Sequence, residues 1–209
     1  MTACDSNPAS SRGSRSADRR SRLPPTRSRS VRAPRWNGSL EVAIKAAGDF
    51  SSGVASVKPG TAVYVDGPHG VFSIDQYEGA GFCLIAGGVG IAPALSMLET
   101  LADRDDVRPV VLFAGNRNWD SIILRDRIDE VTTRLNLTVV HVLEQPPLDW
   151  TGETGYIDGD ILVRHLPARF RRFQYFACGP VPMLAAVENA LVGIGAPADH
   201  IHTERFDWV

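Results

Sequence analysis

Cysteine is scarce in this sequence. Three cysteines, Cys4, Cys83 and Cys178, stand far apart in a chain of 209 residues. Their number and spacing argue against a disulfide framework, and no group of cysteines or histidines has the spacing of metal ligands. We therefore expect a reducing compartment, a cytoplasmic location and no bound metal.

Long apolar runs without turn residues are also lacking. The uncharged stretch at residues 81–98 is about long enough to span a membrane, but glycines and a proline interrupt its middle. It therefore predicts a turn between a strand and a helix rather than a span. No apolar stretch follows the charged N-terminus, so we expect no signal peptide.

Residues 1–35 have no aromatic side chain and hold nine arginines, eight serines, four prolines and two aspartates. Such a segment cannot bury enough apolar surface to offset its ordering entropy, so we predict that residues 1–36 are disordered. A basic arm for nucleic acid or an anionic membrane surface, a transit peptide and a tail without function stay open. We favour the last, and expect no nucleic-acid partner, because no aromatic residues interleave the arginines.

The rest of the chain has a different charge and composition. It holds 13 basic and 22 acidic side chains, so it is acidic, whereas residues 1–35 are basic. The net charge of −2 for the whole chain conceals this difference. The whole chain is 44% apolar and 22% charged, which suits one or two domains with a real core.

Residues 37–76 combine short apolar runs with turn residues. We predict strands at residues 40–45, 62–65 and 71–74, separated by turns at Lys58-Pro59-Gly60 and at residues 67–70. Two or three antiparallel strands are too few to fold alone. We interpret this segment as a partial β-domain whose beginning is missing.

A buried strand, a glycine turn and a helix form the centre of the sequence. Residues 82–86 are apolar, Gly87, Gly88 and Gly90 follow, and Pro93 suits the first helical position. The free N–H groups of such a turn and the helix dipole together favour a phosphate. A tight turn without a ligand is the alternative.

Strands and helices alternate after residue 79. We predict further strands at 109–114, 137–143, 173–178 and 201–203, and helices at 121–135, 160–166 and 181–194. The pattern predicts an α/β fold with a doubly wound parallel five-stranded sheet over residues 77–209. Ligands of such sheets bind at the carboxyl ends of the strands. The glycine turn, Asn116-Arg117, Cys178-Gly179-Pro180 and Glu204 are therefore expected to share one crevice.

The end of the second strand indicates which nucleotide the crevice takes. Residues 114–117 contain no acid to hold a ribose 2′-hydroxyl, whereas Arg117 suits a 2′-phosphate. The residues thus favour NADPH over NADH. Arg125 and Arg127 compete for the same role, and a solvated surface arginine is the other explanation.

Cys178 has the pattern of a small apolar core residue. A nucleophilic thiolate needs an activating base, and nothing in the sequence places a histidine beside it. His200 and His202 lack companions at metal spacing, so we interpret them as structural.

Five motifs in order over residues 38–209 resemble those of the ferredoxin–NADP reductase-like flavoproteins, closest to the branch fused to ferric reductase and NADPH oxidase membrane domains. The motifs are Gly48-Asp49-Phe50-Ser51, Gly67-Pro68-His69-Gly70-Val71-Phe72, Gly87-Gly88-Val89-Gly90-Ile91-Ala92-Pro93, Cys178-Gly179-Pro180-Val181-Pro182-Met183 and Glu204-Arg205-Phe206. Each motif alone is weak, and their order makes the resemblance specific.

The resemblance implies a hydride transfer from NADPH to FAD, followed by single electrons to a haem, iron or iron–sulfur acceptor. It implies that residues 48–51 meet the FAD pyrophosphate and that residues 87–93 meet the NADP pyrophosphate. Cys178 would pack on the nicotinamide, Glu204 would support proton or charge handling, and Phe206 would lie near the flavin. The partner would be an acceptor protein or a haem membrane domain at the cytoplasmic face of a membrane.

One departure from the family limits what the resemblance implies. The first flavin motif, Arg-x-Tyr-Ser, is absent, and the arginine-rich segment stands in place of most of the six-stranded flavin barrel. We therefore expect a truncated reductase that needs the missing part for stable FAD binding and full activity. An NADP(H)-binding module without redox activity and a basic-arm adaptor are the alternatives. Cys178, Glu204 and Phe206 favour the reductase, because a mere nucleotide binder has no need of them.

Overall fold

The computed structural model of the chain describes residues 29–30, 40–46, 48–65 and 70–206. Apart from positions 29 and 30, the predicted disorder of residues 1–36 lies outside these ranges. Strands β1 (Arg29–Ser30) and β2 (Val42–Ala43) pair antiparallel in a two-stranded ribbon.

The main sheet contains six strands of the described chain. They are β3 (Phe82–Gly87), β4 (Val110–Asn116), β5 (Leu137–Leu143), β6 (Glu153–Thr154), β7 (Gln174–Pro180) and β8 (Ile201–Phe206). Their order is β6-β5-β4-β3-β7-β8, and all neighbouring pairs run parallel. The predicted parallel sheet is confirmed with one strand more than the five expected. The added strand, β6, is too short to show a pattern in the sequence.

Helices cover both faces of this sheet, so the doubly wound architecture is also confirmed. The described helices are α1 (Asp49–Gly53), α2 (Ile91–Asp103), α3 (Arg125–Thr132), α4 (Gly159–His165) and α5 (Val181–Gly193). Residues of α2 and α3 pack with one face of the central strands, and residues of α4 and α5 pack with the other. Strands β3 and β7 are buried on both sides, which explains why they are almost entirely apolar, with Gln174 of β7 as the exception.

Helix α3 is shorter than the predicted helix at residues 121–135. Asn118 and Ser121 form a capping box, in which Asn118 Oδ1 accepts from the Ser121 N–H at 3.0 Å, and this box closes a 3₁₀ turn. Leu124 then takes a left-handed conformation with φ of 59°. These local hydrogen bonds and the backbone reversal delay the helix until Arg125.

The strands predicted before residue 76 are mostly wrong. The described residues 48–65 contain no strand, and Val63, Tyr64 and Val65 are 65%, 85% and 65% exposed. Residues 71–74 also form no strand, because Ser73 caps a 3₁₀ turn at Ile74–Gln76. Only Val42 and Ala43 of the strand predicted at 40–45 pair with another strand.

Residues 70–79, here called the linker, are attached to the sheet domain by side chains. Ile74 is buried in the core on the α2 face. The carboxylate of Asp75 accepts from Arg104 at 2.5 Å, and the backbone carbonyl of Gly79 accepts from Arg108 at 3.3 Å. The linker therefore packs as part of the parallel-sheet domain.

The strand order determines where a ligand can bind. From β3 the chain builds β4, β5 and β6 to one side, and it then returns to add β7 and β8 on the other. Such a reversal leaves a crevice outside the carboxyl ends of the central strands. The turn after β3 and the turn after β7 both lie at that edge.

Ion pairs of Glu153 attach strand β6 to helix α4. Arg164 donates from Nε to Glu153 Oε1 at 3.0 Å and from Nη2 to Oε2 at 2.6 Å, and His165 Nε2 lies 2.7 Å from Oε1. The bonds from Arg164, and then from His165, lower the pKa of Glu153 to about 2. The folded chain thus favours the ionised carboxylate.

We expect Glu153→Gln to lower the free energy of unfolding at neutral pH, because the neutral amide loses the paired charge. In the wild type this contribution is complete above the ordinary pKa of 4.5 and is lost as the pH falls towards 2. Urea unfolding across that range measures it. Glu144→Gln is the control, since Glu144 has only a 3.5 Å contact with Tyr156. An equal pH dependence in wild type and Glu153→Gln would contradict the assignment.

Candidate functional site

The glycine turn lies between β3 and α2, as predicted. Gly88–Gly90 form a 3₁₀ turn, and Gly88 has φ of 53°, a conformation that side chains with a Cβ rarely adopt. Helix α2 begins at Ile91, so Pro93 occupies the third helical position rather than the first. The correction is small, because Pro93 still lies in the first turn, where an N–H has no partner within the helix.

The turn packs directly against the end of β7. A Cβ on Gly90 would lie 2.0 Å from the carbonyl oxygen of Cys178, so only glycine fits there. A Cβ on Gly87 would lie 2.5 Å from Met183 Sδ, and one on Gly179 would lie 2.9 Å from Met183 Cε. The predicted residues of these two motifs are therefore in contact, and Met183 fills the space between them.

Cys178 and Glu204 lie side by side in the sheet. Cys178 of β7 is opposite Ala86 of β3 on one side and opposite Glu204 of β8 on the other. Cys178 is 2% exposed, while Glu204 is half-buried. Phe206 ends β8 opposite the exposed residue Pro180. The predicted convergence of these strand ends is observed.

Strand β4 brings Asn116 to the same edge, with Arg117 directly after it. Their carbonyl groups accept from the N–H groups of Glu144 at 3.1 Å and Gln145 at 2.7 Å, which fixes the loop. The Arg117 side chain is exposed, and it makes no ion pair within the described ranges. Its position after the strand agrees with the prediction.

The two competing arginines are engaged elsewhere. Arg127 forms ion pairs with Glu41 at 2.7 Å and with Glu99. The guanidinium carbon of Arg125 lies 4.8 Å from the centre of the Trp119 ring, within the range of a cation–π contact. Of the three, Arg117 is the most available for an anionic ligand.

An aromatic cluster beside this loop was missed by sequence reasoning. The Trp119 ring lies 5.4 Å from His141 and 5.4 Å from Trp150, measured between ring centres. Nδ1 of His141 is buried without a hydrogen-bond partner among the described residues. Burial lowers the pKa of His141, opposed by Asp129 and supported by Arg125. The only signal in the sequence was that both tryptophans follow strands β4 and β5 within polar loops.

Asp120 was also missed. It is an exposed carboxylate within the 3₁₀ turn that Asn118 and Ser121 cap, three residues beyond Arg117. A carboxylate near the end of the second strand is the usual partner of a ribose hydroxyl. The strand end itself holds no acid, and this one follows within a turn.

Residues 48–51, which resemble a flavin motif, form the start of α1. The Gly48 N–H donates to Ser51 Oγ at 3.0 Å, and the Ser51 hydroxyl lies 3.2 Å from the Gly48 carbonyl. Phe50 is 37% exposed. Positions 67–69 of the second predicted flavin motif lie outside the described residues.

Two other classes of site are not found. In the described part of the chain, no helix has the length and apolar character needed to cross a membrane. Among the same residues, no group of histidine, cysteine, aspartate and glutamate could hold a metal ion.

The model of the oxidoreductase NAD-binding domain family matches residues 84–189, which is half of the chain. The chain belongs to this family. The predicted resemblance to ferredoxin–NADP reductase-like proteins is confirmed at the level of this NAD-binding domain family.

Known relatives agree with this assignment. NADH-cytochrome b5 reductase 1 of Debaryomyces hansenii is 32% identical over 163 residues, which are 76% of this chain and 57% of the relative. The chain therefore spans little more than half the length of that relative. The name of this relative does not point to the ferric reductase branch. Assignment to that branch stays a prediction.

Solved structures show the same fold. The cytochrome b5 reductase domain of Ulva prolifera nitrate reductase has a TM-score of 0.68 at 24% identity, covering 75% of this chain and 64% of that one. A ferredoxin–NADP⁺ reductase from Neisseria gonorrhoeae with bound FAD and NADP has a TM-score of 0.69 at 21% identity, covering 84% and 77%.

We expect Gly90→Ala to lower the free energy of unfolding by about 1–3 kcal/mol, the usual cost of forcing an extra carbon into packed structure. The reason is the 2.0 Å approach to the Cys178 carbonyl. Denaturant unfolding measures the change. Gly193→Ala in α5 is the control, because a Cβ there meets no atom within 4 Å. Equal stability of the two variants would show that the turn and β7 are not in close contact.

Proposed function

We propose that this chain is the nucleotide-binding part of an NAD(P)H-dependent flavin oxidoreductase. The observation that carries the proposal is the position of Cys178 and Glu204 side by side, at the edge of the sheet where the glycine turn lies. A site that only bound a nucleotide would need the turn but neither of these side chains. The activity of the complete protein is part of the proposal, because the chain spans 57% of its relative.

The glycine turn fits a pyrophosphate. Gly88 is exposed, has φ of 53°, and a Cβ on it would meet no atom within 4 Å. The first N–H groups of α2 have no partners within the helix, and the positive end of the helix dipole lies behind them. The predicted contacts here are Gly87, Gly88, Val89, Gly90, Ile91 and Pro93.

The nicotinamide end of the nucleotide would lie against β7 and β8. When bound, the nucleotide supplies a hydride, and FAD accepts it and releases single electrons to an acceptor. Cys178 is almost fully buried, so its role is to pack against the ring and to exclude water rather than to attack. Glu204 on the neighbouring strand provides the carboxylate for proton or charge handling. Gly179, Pro180 and Met183 keep this wall of the site closely packed.

The residues for FAD fit only in part. The start of α1 at Gly48 and Ser51 offers a backbone and a hydroxyl for a pyrophosphate, with Phe50 as an exposed aromatic neighbour. No Arg-x-Tyr-Ser motif accompanies them in the sequence. We therefore infer that full activity needs a further flavin-binding part, and we propose Phe206 as the residue near the flavin.

The electron acceptor would be a haem or iron–sulfur protein, or a haem membrane domain. NADH-cytochrome b5 reductase 1 is named for cytochrome b5, and ferredoxin–NADP⁺ reductase is named for ferredoxin. With such partners the chain would act in the cytoplasm or at the cytoplasmic face of a membrane.

A spectrum of the purified chain tests the proposal. With FAD in excess, which offsets the incomplete flavin site, we expect the visible flavin band to bleach when NADPH or NADH is added. Gly88→Val should abolish bleaching, because valine is strained at φ of 53° and projects towards the phosphates. Gly60→Val is the control, since Gly60 also has positive φ, at 85°, but lies in the turn after Lys58.

Two outcomes would change the conclusion. Nucleotide binding without bleaching, even with an excess of FAD, would favour the alternative of a nucleotide module without redox activity. The absent Arg-x-Tyr-Ser motif is the observation that supports this second candidate. Failure to bind either nucleotide would overturn both.

For the choice of nucleotide we propose NADPH, bound through its 2′-phosphate by Arg117. Support comes from the exposed guanidinium, while Arg125 and Arg127 are engaged with Trp119 and with Glu41 and Glu99. Asp120 supports the opposite preference, and the name of the Debaryomyces relative specifies NADH. The two side chains thus make opposite predictions that one experiment separates.

We expect Arg117→Ala to weaken NADPH binding about 10-fold to 100-fold, the value of a charge-assisted hydrogen bond, and to leave NADH binding almost unchanged. Asp120→Asn is the companion variant. If Asp120 holds the ribose hydroxyl, this variant weakens NADH and strengthens NADPH. Calorimetric titration with both nucleotides measures the ratio, and equal losses of both in Arg117→Ala would refute the 2′-phosphate contact.

A further inference from the structure

The linker makes one stacked contact with the last strand of the sheet. The rings of Tyr77 and His202 lie 3.7 Å apart between centres, with 24° between their planes. Phe176 of β7 contacts both rings, at 5.9 Å from Tyr77 and 4.9 Å from His202. His202 is thus held between the linker and the neighbouring strand.

A hydrogen-bond chain supports the same histidine. Gln174 Nε2 donates to the Glu78 carbonyl at 2.8 Å, which leaves Gln174 Oε1 as an acceptor. His202 Nε2 lies 2.9 Å from that oxygen, so the network assigns the hydrogen of the neutral ring to Nε2. Gln174 is 5% exposed, so the amide is a buried polar group that depends on both partners.

The surroundings of His202 favour the neutral form of its imidazole ring. Burial lowers the pKa of His202, and the nearby His200 acts in the same direction while Asp199 opposes it. A neutral imidazole keeps one donor and stacks on Tyr77 without a charge to solvate. Both contacts of His202 are therefore made by the form that prevails at neutral pH.

His202 lies two residues before Glu204 on β8. Phe176 pairs with His202, and Cys178 pairs with Glu204, in the register of β7 and β8. Because side chains alternate along a strand, both pairs project from the same face of the sheet. The stack is therefore the next layer of side chains behind the Cys178–Glu204 pair.

Strand β8 needs such support because it is an edge strand. In the described chain it pairs with β7 alone and has no strand on its other side. The first residues of an edge strand fray or shift in register more easily than those of a central strand. The Tyr77 ring and the Gln174 amide attach His202 of this strand to the linker and to β7.

We propose that His202 is a positioning residue, which Tyr77 and Gln174 hold in place so that Glu204 of the edge strand stays opposite Cys178. The meaning of this position for hydride transfer rests on the proposed function. The coupling between His202 and Glu204 is a property of the chain itself and can be measured without any cofactor.

The first experiment follows the side-chain carboxyl carbon of Glu204 by NMR in the full chain, with Glu204→Gln to assign the resonance. We expect His202→Ala and Tyr77→Ala to shift and broaden it, and Tyr77→Phe, which keeps the stacked ring, to leave it unchanged. His200→Ala is the matched control. It removes the neighbouring imidazole and its 2.9 Å contact with the Phe173 carbonyl, but touches neither Tyr77 nor Gln174 in the hydrogen-bond chain. A Glu204 resonance equally unaffected in all four variants would overturn the proposal.

The second experiment measures NADPH oxidation with added FAD and ferricyanide. A displaced carboxylate costs rate rather than affinity, so we expect His202→Ala to lower kcat roughly 10-fold to 100-fold with little change in KM. In a Glu204→Gln background the same change should have almost no further effect, because the residue that it positions is gone. Additive losses in the double variant would show a general structural role and contradict the proposal.

The two proposals fail in different ways. If the chain oxidises no nucleotide but the Glu204 resonance responds as expected, the proposed function fails while the positioning role stands. If oxidation proceeds and the double variant is additive, the function stands and the positioning role fails.

Discussion

The contact between Gly90 and the backbone of Cys178 is the constraint on which the crevice depends. There is no room for even one methyl group between the glycine turn and β7. This closeness requires β3 and β7 to be neighbours, and they are neighbours because the chain returns across the sheet after building β4, β5 and β6. A single reversal of strand order thus brings the glycine turn, where we propose that a pyrophosphate binds, and the Cys178–Glu204 pair to one place.

The buried part of the fold could be predicted because burial on both faces leaves a plain trace in the sequence. Strands β3 and β7, which are buried on both faces, differ from prediction by no more than two residues at either end, and the less buried β5 has the predicted bounds. The segment before residue 76 could not be predicted in the same way. Apolar and β-branched residues such as Val63 and Val65 describe a surface that fits a sheet, but they do not show that a partner strand exists. In the described chain these residues remain exposed.

The candidate site shows the same contrast: the positions of its strand ends could be predicted, but the contact partners of its side chains could not. That the ends of β3, β4, β7 and β8 converge followed from the alternation of strands and helices. Which of three arginines is available did not follow, because the partners of Arg127 are Glu41 and Glu99, distant in the sequence. The cluster of Trp119, His141 and Trp150 was missed for the same reason: its members come from three separate stretches and meet only in the fold.

Contacts between residues distant in the sequence also connect the segment before the sheet to the elements around the site. Glu41 pairs with an arginine of α3, Asp75 pairs with Arg104 just after α2, and Tyr77 stacks on β8. Surface ion pairs of this kind contribute little individually, whereas a half-buried ring that is both stacked and hydrogen-bonded holds one geometry. Of the three attachments, the Tyr77–His202 stack is therefore the one able to transmit a change in the linker to the edge strand. Any partner that repositions the linker would act on the orientation of Glu204 through that stack, without touching the glycine turn.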